Sequence, residues 1–139
     1  MNNVIQRGCE AELLIAAEAI KHGIVVSKPL SHSSPYDFIF DNGKNVLKVQ
    51  CKRAYKMKGW NNKIDSLCVE SRRRYGFKKN GIKMQGKPYR YNDFDVLVAC
   101  EPLKNRFWIL PFSFCKNFKS GIYLDTKKSN IYLNNWKMI

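Results

Sequence analysis

The sequence predicts an α/β fold, a mixed β-sheet flanked by helices, and three features carry that expectation. Residues 4–21 repeat apolar groups at helical spacing. Short β-branched runs follow, two of them joined by the turn signal Asp41-Asn42-Gly43. Further on, "DFDVLVAC" (93–100) and "RFWILP" (106–111) are two dense apolar runs with a turn around Pro102 between them. With 139 residues, 45% hydrophobic and 26% charged, the chain suffices for one folded domain, read as 1–139.

Taken in order, "VIQRGCEAELLIAAEAIK" places Ile5, Cys9, Leu13, Ala16, Ala17 and Ile20 at gaps of three and four, the helical period. Lys21-His22-Gly23 then gives a cationic last turn and a glycine stop. "IVVS" (24–27) reads as a short strand and "KPLSHSSP" (28–35) as a loop. "YDFIF" (36–40) and "NVLKVQCK" (45–52) are the two arms of a hairpin. The run 93–100 is expected to be a central strand, with 106–111 paired to it. "PFSFCKNF" (111–118) reads as a short helix or turn, and "GIYLD" (121–125) and "NIYLN" (130–134) as short β-like pieces.

The formal net charge is +14. A surplus that large in so small a protein favours polyanions, nucleic acid first among them. Most of it falls in residues 53–90, which hold twelve Lys or Arg against Asp65 and Glu70. Tyr55, Trp60, Tyr75, Phe77 and Tyr89 are interleaved there, a mixture suited to phosphate-backbone contact. Arg53, Lys56, Lys58, Arg72, Arg73, Arg74, Lys78 and Lys79 are the candidate DNA contacts. No apolar run approaches the roughly 20 residues of a membrane span. Five cysteines, an odd number without CxxC spacing, and a start lacking a signal-peptide apolar region fit a reducing, cytoplasmic setting.

The hairpin carries polar residues in unusual places. Residues two apart on a strand share a face, so Gln50 and Lys52 point one way, Val49 and Cys51 the other. A turn near Asn42 brings Asp37 beside Gln50, and the first helix can deliver Glu12 to the same corner. Phosphodiester hydrolysis uses a hard divalent cation held by oxygen ligands. Asp37 is the natural ligand, with the Gln50 amide oxygen and the Cys51 backbone carbonyl as neutral donors. Glu12 completes the shell, directly or through water. Lys52 can orient or deprotonate the attacking water, or stabilise charge developing on the phosphate. Mg²⁺ is the expected cation, with Mn²⁺ able to substitute.

Gly8-x-x-x-Glu12 on a first helix, Asp37 at a strand start and Gln50-x-Lys52 on the next strand together resemble the PD-(D/E)XK nucleases. Within them the pattern is similar to the small Q-x-K group. That group includes homing endonucleases encoded in group I introns and is related in layout to archaeal Holliday junction resolvases. The resemblance spans roughly residues 5–112, up to a closing strand pair. It implies a restriction-endonuclease-like core with Glu12, Asp37, Gln50 and Lys52 as the active site. It also implies metal-dependent cleavage of double-stranded DNA leaving 5′-phosphate and 3′-hydroxyl ends. The sequence departs from the pattern twice: Tyr36 separates Pro35 from Asp37, and Gln50 stands where an acid is usual. One site per chain implies a homodimer or homotetramer for cutting both strands. A site-specific homing-type endonuclease is the expected function. A junction resolvase-like enzyme and a non-catalytic DNA-binding module are the alternatives.

Overall fold

Helix α1 (Val4–Lys21) starts where a capping box starts it: the Gln6 amide donates to Asn3 Oδ1 (2.9 Å) and the Asn3 amide to Gln6 Oε1 (3.2 Å). It stops at Gly23, whose φ of +76° suits glycine, while the Gly23 and Ile24 amides close back on the Ile20 and Ala19 carbonyls. This is a computed structural model, describing residues 3–59, 65–73, 78–79, 82–83 and 86–139.

The helix lies where the sequence puts it, but on another face. Ala11, Ile15 and Ala19 are buried, with Leu14 and Ala16 packed beside them. Ile5, Leu13 and Ile20 stay 76%, 70% and 61% exposed, and Cys9 and Ala17 face solvent with them. The reason is volume. The sheet side of this core contributes Phe38, Phe40, Phe107 and Trp136, and small helix residues let the two layers approach without voids.

Strands follow in the order β1 (Val25–Ser27), β2 (Phe38–Asp41), β3 (Val46–Arg53), β4 (Tyr55–Met57), β5 (Ser66–Glu70) and β6 (Arg72–Arg73). Then come β7 (Lys78–Lys79), β8 (Ile82–Lys83), β9 (Lys87–Pro88), β10 (Val96–Glu101), β11 (Arg106–Pro111) and β12 (Gly121–Tyr123). The main sheet has the order β1-β2-β3-β10-β11. β3 and β10 run parallel and the other neighbours antiparallel, so the sheet is mixed as expected. Every residue of β10 is buried, as its dense apolar sequence implies. A short helix, α2 (Phe112–Cys115), follows β11.

The two faces of this sheet are covered differently. α1 packs on one. A small sheet, β12-β5-β4, with α2 covers the other, over Leu97, Ala99, Trp108 and Leu110. One sequence expectation changes here. Within residues 130–134, Asn130–Tyr132 form a 3₁₀ turn and Leu133 makes a single β-bridge to Trp108, in place of the expected strand. The basic segment 53–90 is also more than a charged connection. It contains β5, whose Val69 is fully buried because β12, about fifty residues later, pairs with it. Among the described residues no helix is long and apolar enough to cross a membrane.

Candidate active site

Strand lengths create the site. The last β2–β3 pair is Phe38 with Val49, yet β3 continues to Arg53. The Asp37 amide donates to the Val49 carbonyl (2.9 Å), so Val49 and, two residues on, Cys51 aim their backbone groups at the β2 side. Beyond the end of β2 the Cys51 amide and carbonyl would have no strand to meet. Asp37 fills that gap: its Oδ2 accepts from the Cys51 amide (2.8 Å) and from Gln50 Nε2 (2.6 Å). The same Gln50 Nε2 donates to the Cys51 carbonyl (3.2 Å). The Asp37 carboxylate, the Gln50 amide and the Cys51 carbonyl thus converge on one point.

The environment is dry. Gln50 is 9% exposed, and its neighbour across β10 is the fully buried Leu97. Burial pushes the Asp37 carboxyl up from its usual range, and the nearby Glu12 charge pushes the same way. The Cys51 amide, Lys52 and Lys28 pull it back. The Cys51 thiol takes no part: it sits in the α1-side core, where burial holds it protonated well above its usual range.

Lys52 shares the Gln50 face. Its Nζ donates to the Arg72 carbonyl (3.3 Å) and lies 5.8 Å from the centre of the Tyr89 ring. Burial raises the Tyr89 hydroxyl far above its normal range, so it stays protonated. Glu12 stands at the rim of α1 beside buried Ala11, and its Oε2 accepts from Lys28 Nζ at 2.9 Å. The geometry therefore gathers Asp37, Gln50, the Cys51 carbonyl and Lys52 at one corner, with Glu12 in electrostatic reach.

The donors suit a hard cation. Asp37 offers a half-buried carboxylate and Cys51 a carbonyl oxygen, and a Gln50 amide turned end for end would present its oxygen in place of the Nε2 it directs at both. The upward-displaced Asp37 carboxyl is one that a divalent charge would stabilise. No group of three His, Cys, Asp or Glu side chains gathers among the described residues.

The candidate DNA contacts divide. Arg53 turns to the α1 face and pairs with Glu10. Lys56 and Lys58 are exposed. Arg72 Nε donates to the Lys119 carbonyl (3.0 Å), and Arg73 Nη2 to the Ser33 carbonyl (2.8 Å), tethering the serine-rich loop to β6. Arg74, Trp60, Tyr75, Phe77 and the side chains of Lys78 and Lys79 lie outside the described residues. Sequence reasoning missed Lys28 and Tyr89. Tyr89 was visible as one of the aromatics among cations. Lys28 had no signal beyond its loop, since its partner is sixteen residues upstream.

Among curated proteins, none matches the sequence. The solved structure of a bacterial homing endonuclease, I-Ssp6803I, superposes with a TM-score of 0.80 at 28% sequence identity, over 99% of this chain and 93% of that one. The likeness and the mixed sheet with its flanking helix together give this chain a restriction-endonuclease-like fold. The profile of the PD-(D/E)XK endonucleases matches residues 2–138, nearly the whole length, and this chain belongs to that family.

Proposed function

We propose that this endonuclease hydrolyses double-stranded DNA in a divalent-metal-dependent reaction at the Asp37 corner, as a site-specific, homing-type enzyme. The observation that carries the reading is the convergence of a half-buried carboxylate, an amide and a backbone carbonyl at the open end of β2, with an ammonium group beside them. The homing role is supported by the likeness to a bacterial homing endonuclease over nearly the whole of both chains. A divalent cation, Mg²⁺ or Mn²⁺, would polarise the phosphate and acidify a water there.

The chain's own residues do the rest. Asp37, the Gln50 amide oxygen and the Cys51 carbonyl would hold the ion, with Glu12 completing the shell through water. Lys52, braced by the Arg72 carbonyl and Tyr89, directs its ammonium toward the reacting phosphate or its water. Leu97 and Ala99, beside Gln50 and Lys52 on the same sheet face, help to exclude bulk water. Residues 1–139 act as one nuclease domain whose basic segment 53–90 carries the phosphate contacts, Lys56, Lys58, Arg72 and Arg73 among the described ones. Two strands need two sites, so a homodimer or homotetramer is part of the proposal.

The test compares wild type with Lys52→Ala on supercoiled plasmid, on duplex carrying candidate targets and on a four-way junction, with Mg²⁺, Mn²⁺ or EDTA. Cleavage should need the metal and fall by about 10²–10³-fold in the variant, with DNA binding retained. Junction cleavage without duplex cleavage would move the reading to a resolvase. Salt-sensitive binding with no cleavage of any substrate would leave a binding module. Cleavage untouched by Lys52→Ala would sink the site.

A further inference from the structure

We propose that Lys28 is a positioning residue of this site, a built-in counter-cation that keeps the Glu12 carboxylate engaged, so that Asp37 is the carboxylate a metal ion meets directly and Glu12 completes the shell through water. The proposal rests on the reading of the Asp37 corner as the metal site. Lys28 stands one residue past β1, at the start of the serine-containing loop that leads to Asp37. Its Nζ reaches Glu12 Oε2 at 2.9 Å and lies 5.5 Å from the centre of the Phe38 ring. Phe38 directly follows Asp37, so the ammonium is held between the helix carboxylate and the start of β2.

The need for such a cation follows from the charges. The Glu12 charge is near enough to oppose ionisation of Asp37. A nucleic-acid phosphate brought to two bare carboxylates would be repelled by both. An ammonium on Glu12 cancels one of them before any metal arrives. The same ammonium also opposes a divalent ion, so it weakens metal binding in the free protein while helping DNA to approach. Removing it should move the two affinities in opposite directions. An ordinary surface lysine contacting phosphate would move DNA affinity alone, and a lysine that merely orients Glu12 as a ligand would strengthen metal binding.

Free Mn²⁺ counted by electron paramagnetic resonance supplies the first readout, and DNA affinity in EDTA the second. Proteins compared are wild type, Lys28→Met, Lys28→Arg and Asp37→Asn. Lys28→Met should bind Mn²⁺ about three- to tenfold more tightly and DNA in EDTA about threefold more weakly, modest changes because the pair is partly exposed. Lys28→Arg, which keeps the charge, should match wild type in both. Unchanged or weaker Mn²⁺ binding in Lys28→Met overturns the proposal. Asp37→Asn separates this from failure of the site itself: if it binds Mn²⁺ as well as wild type does, the ion is elsewhere and both readings fall. Lys28 is an exposed loop residue, so a thermal melt suffices to show that each variant folds.

Discussion

Two carboxylate clusters flank the parallel β3–β10 pair, and they are closed in opposite ways. On the β11 side, Arg106 Nε donates to the buried Glu101 (2.6 Å), and its two terminal nitrogens grip Asp125 (2.7 and 2.9 Å). The guanidinium lies 4.9 Å from the centre of the Trp108 ring. On the β2 side, Asp37 is met by two neutral donors, the Cys51 amide and the Gln50 amide. The first cluster answers charge with charge through a planar fork, and its demand is met within the fold. The second answers a half-buried charge with neutral hydrogen bonds, and its carboxyl is left displaced toward the protonated form. Such a carboxylate could be stabilised further by an added cation, which is what the metal site proposed at this corner asks of it.

Asp37→Asn tests the contrast most severely. Cleavage with Mg²⁺ or Mn²⁺ should drop to background, because the replacement cannot carry the charge that holds the ion. Stability should move the other way. An acid whose folded pKa lies above its usual 3.8 costs the native state stability once the pH passes that value, and the cost is full above the folded pKa. Asparagine still accepts the Cys51 amide but is never charged. Its melting temperature should therefore exceed the wild type's by a few degrees at pH 7, with the gain fading as pH falls toward 3.8. Calorimetry across that range, without metal, decides it; a variant less stable at pH 7 would show that Asp37 is a brace after all.

Arg106→Met makes the converse change in the closed cluster. It leaves Glu101 buried with no countercharge from Arg106 and removes the packing on Trp108. Urea denaturation should show a loss of about 3 kcal/mol, the low end for breaking a buried pair because the arginine is partly exposed. Turnover of the folded fraction should be unchanged. A fall in turnover with intact stability would mean that the clusters had been assigned the wrong way round.

What could be read from sequence follows the range of the interaction. The bounds of α1, the β2–β3 hairpin and the β10–β11 pair were legible because caps, turn residues and alternation are local. The meeting of Asp37, Gln50 and Lys52 was legible for the same reason, since one hairpin brings them together. The buried face of α1 was not. The helix carries one stripe of Ile and Leu and another of Ala and Ile, and only the bulk of Phe38, Phe40 and Phe107 across the core selects the smaller. β5 was hidden because its buried centre, Leu67, Cys68 and Val69, is covered by pairing to β12 far along the chain, within a stretch that is otherwise strongly cationic. The Lys28–Glu12 pair joins a loop to a helix and follows no spacing rule.

The smallest expected effect extends the comparison to the basic surface. Arg53 resembles Arg106, with its guanidinium engaged by the carboxylate of Glu10 on the α1 face. Arg72 resembles the open cluster: its Nε is held by the neutral Lys119 carbonyl, which orients the guanidinium while leaving its charge uncancelled by that contact. If DNA lies along the Lys52 face, Arg72 gives up little to meet a phosphate, whereas Arg53 would first have to leave Glu10. Each phosphate contact contributes about 0.9 to the slope of log K against log salt. Arg72→Ala should flatten that slope by roughly one such step, and Arg53→Ala should leave it nearly unchanged. Fluorescence anisotropy over a salt series with EDTA measures both without cleavage. Equal flattening by the two variants would place DNA across both faces of β3 and remove the distinction between a cation already answered and one still open.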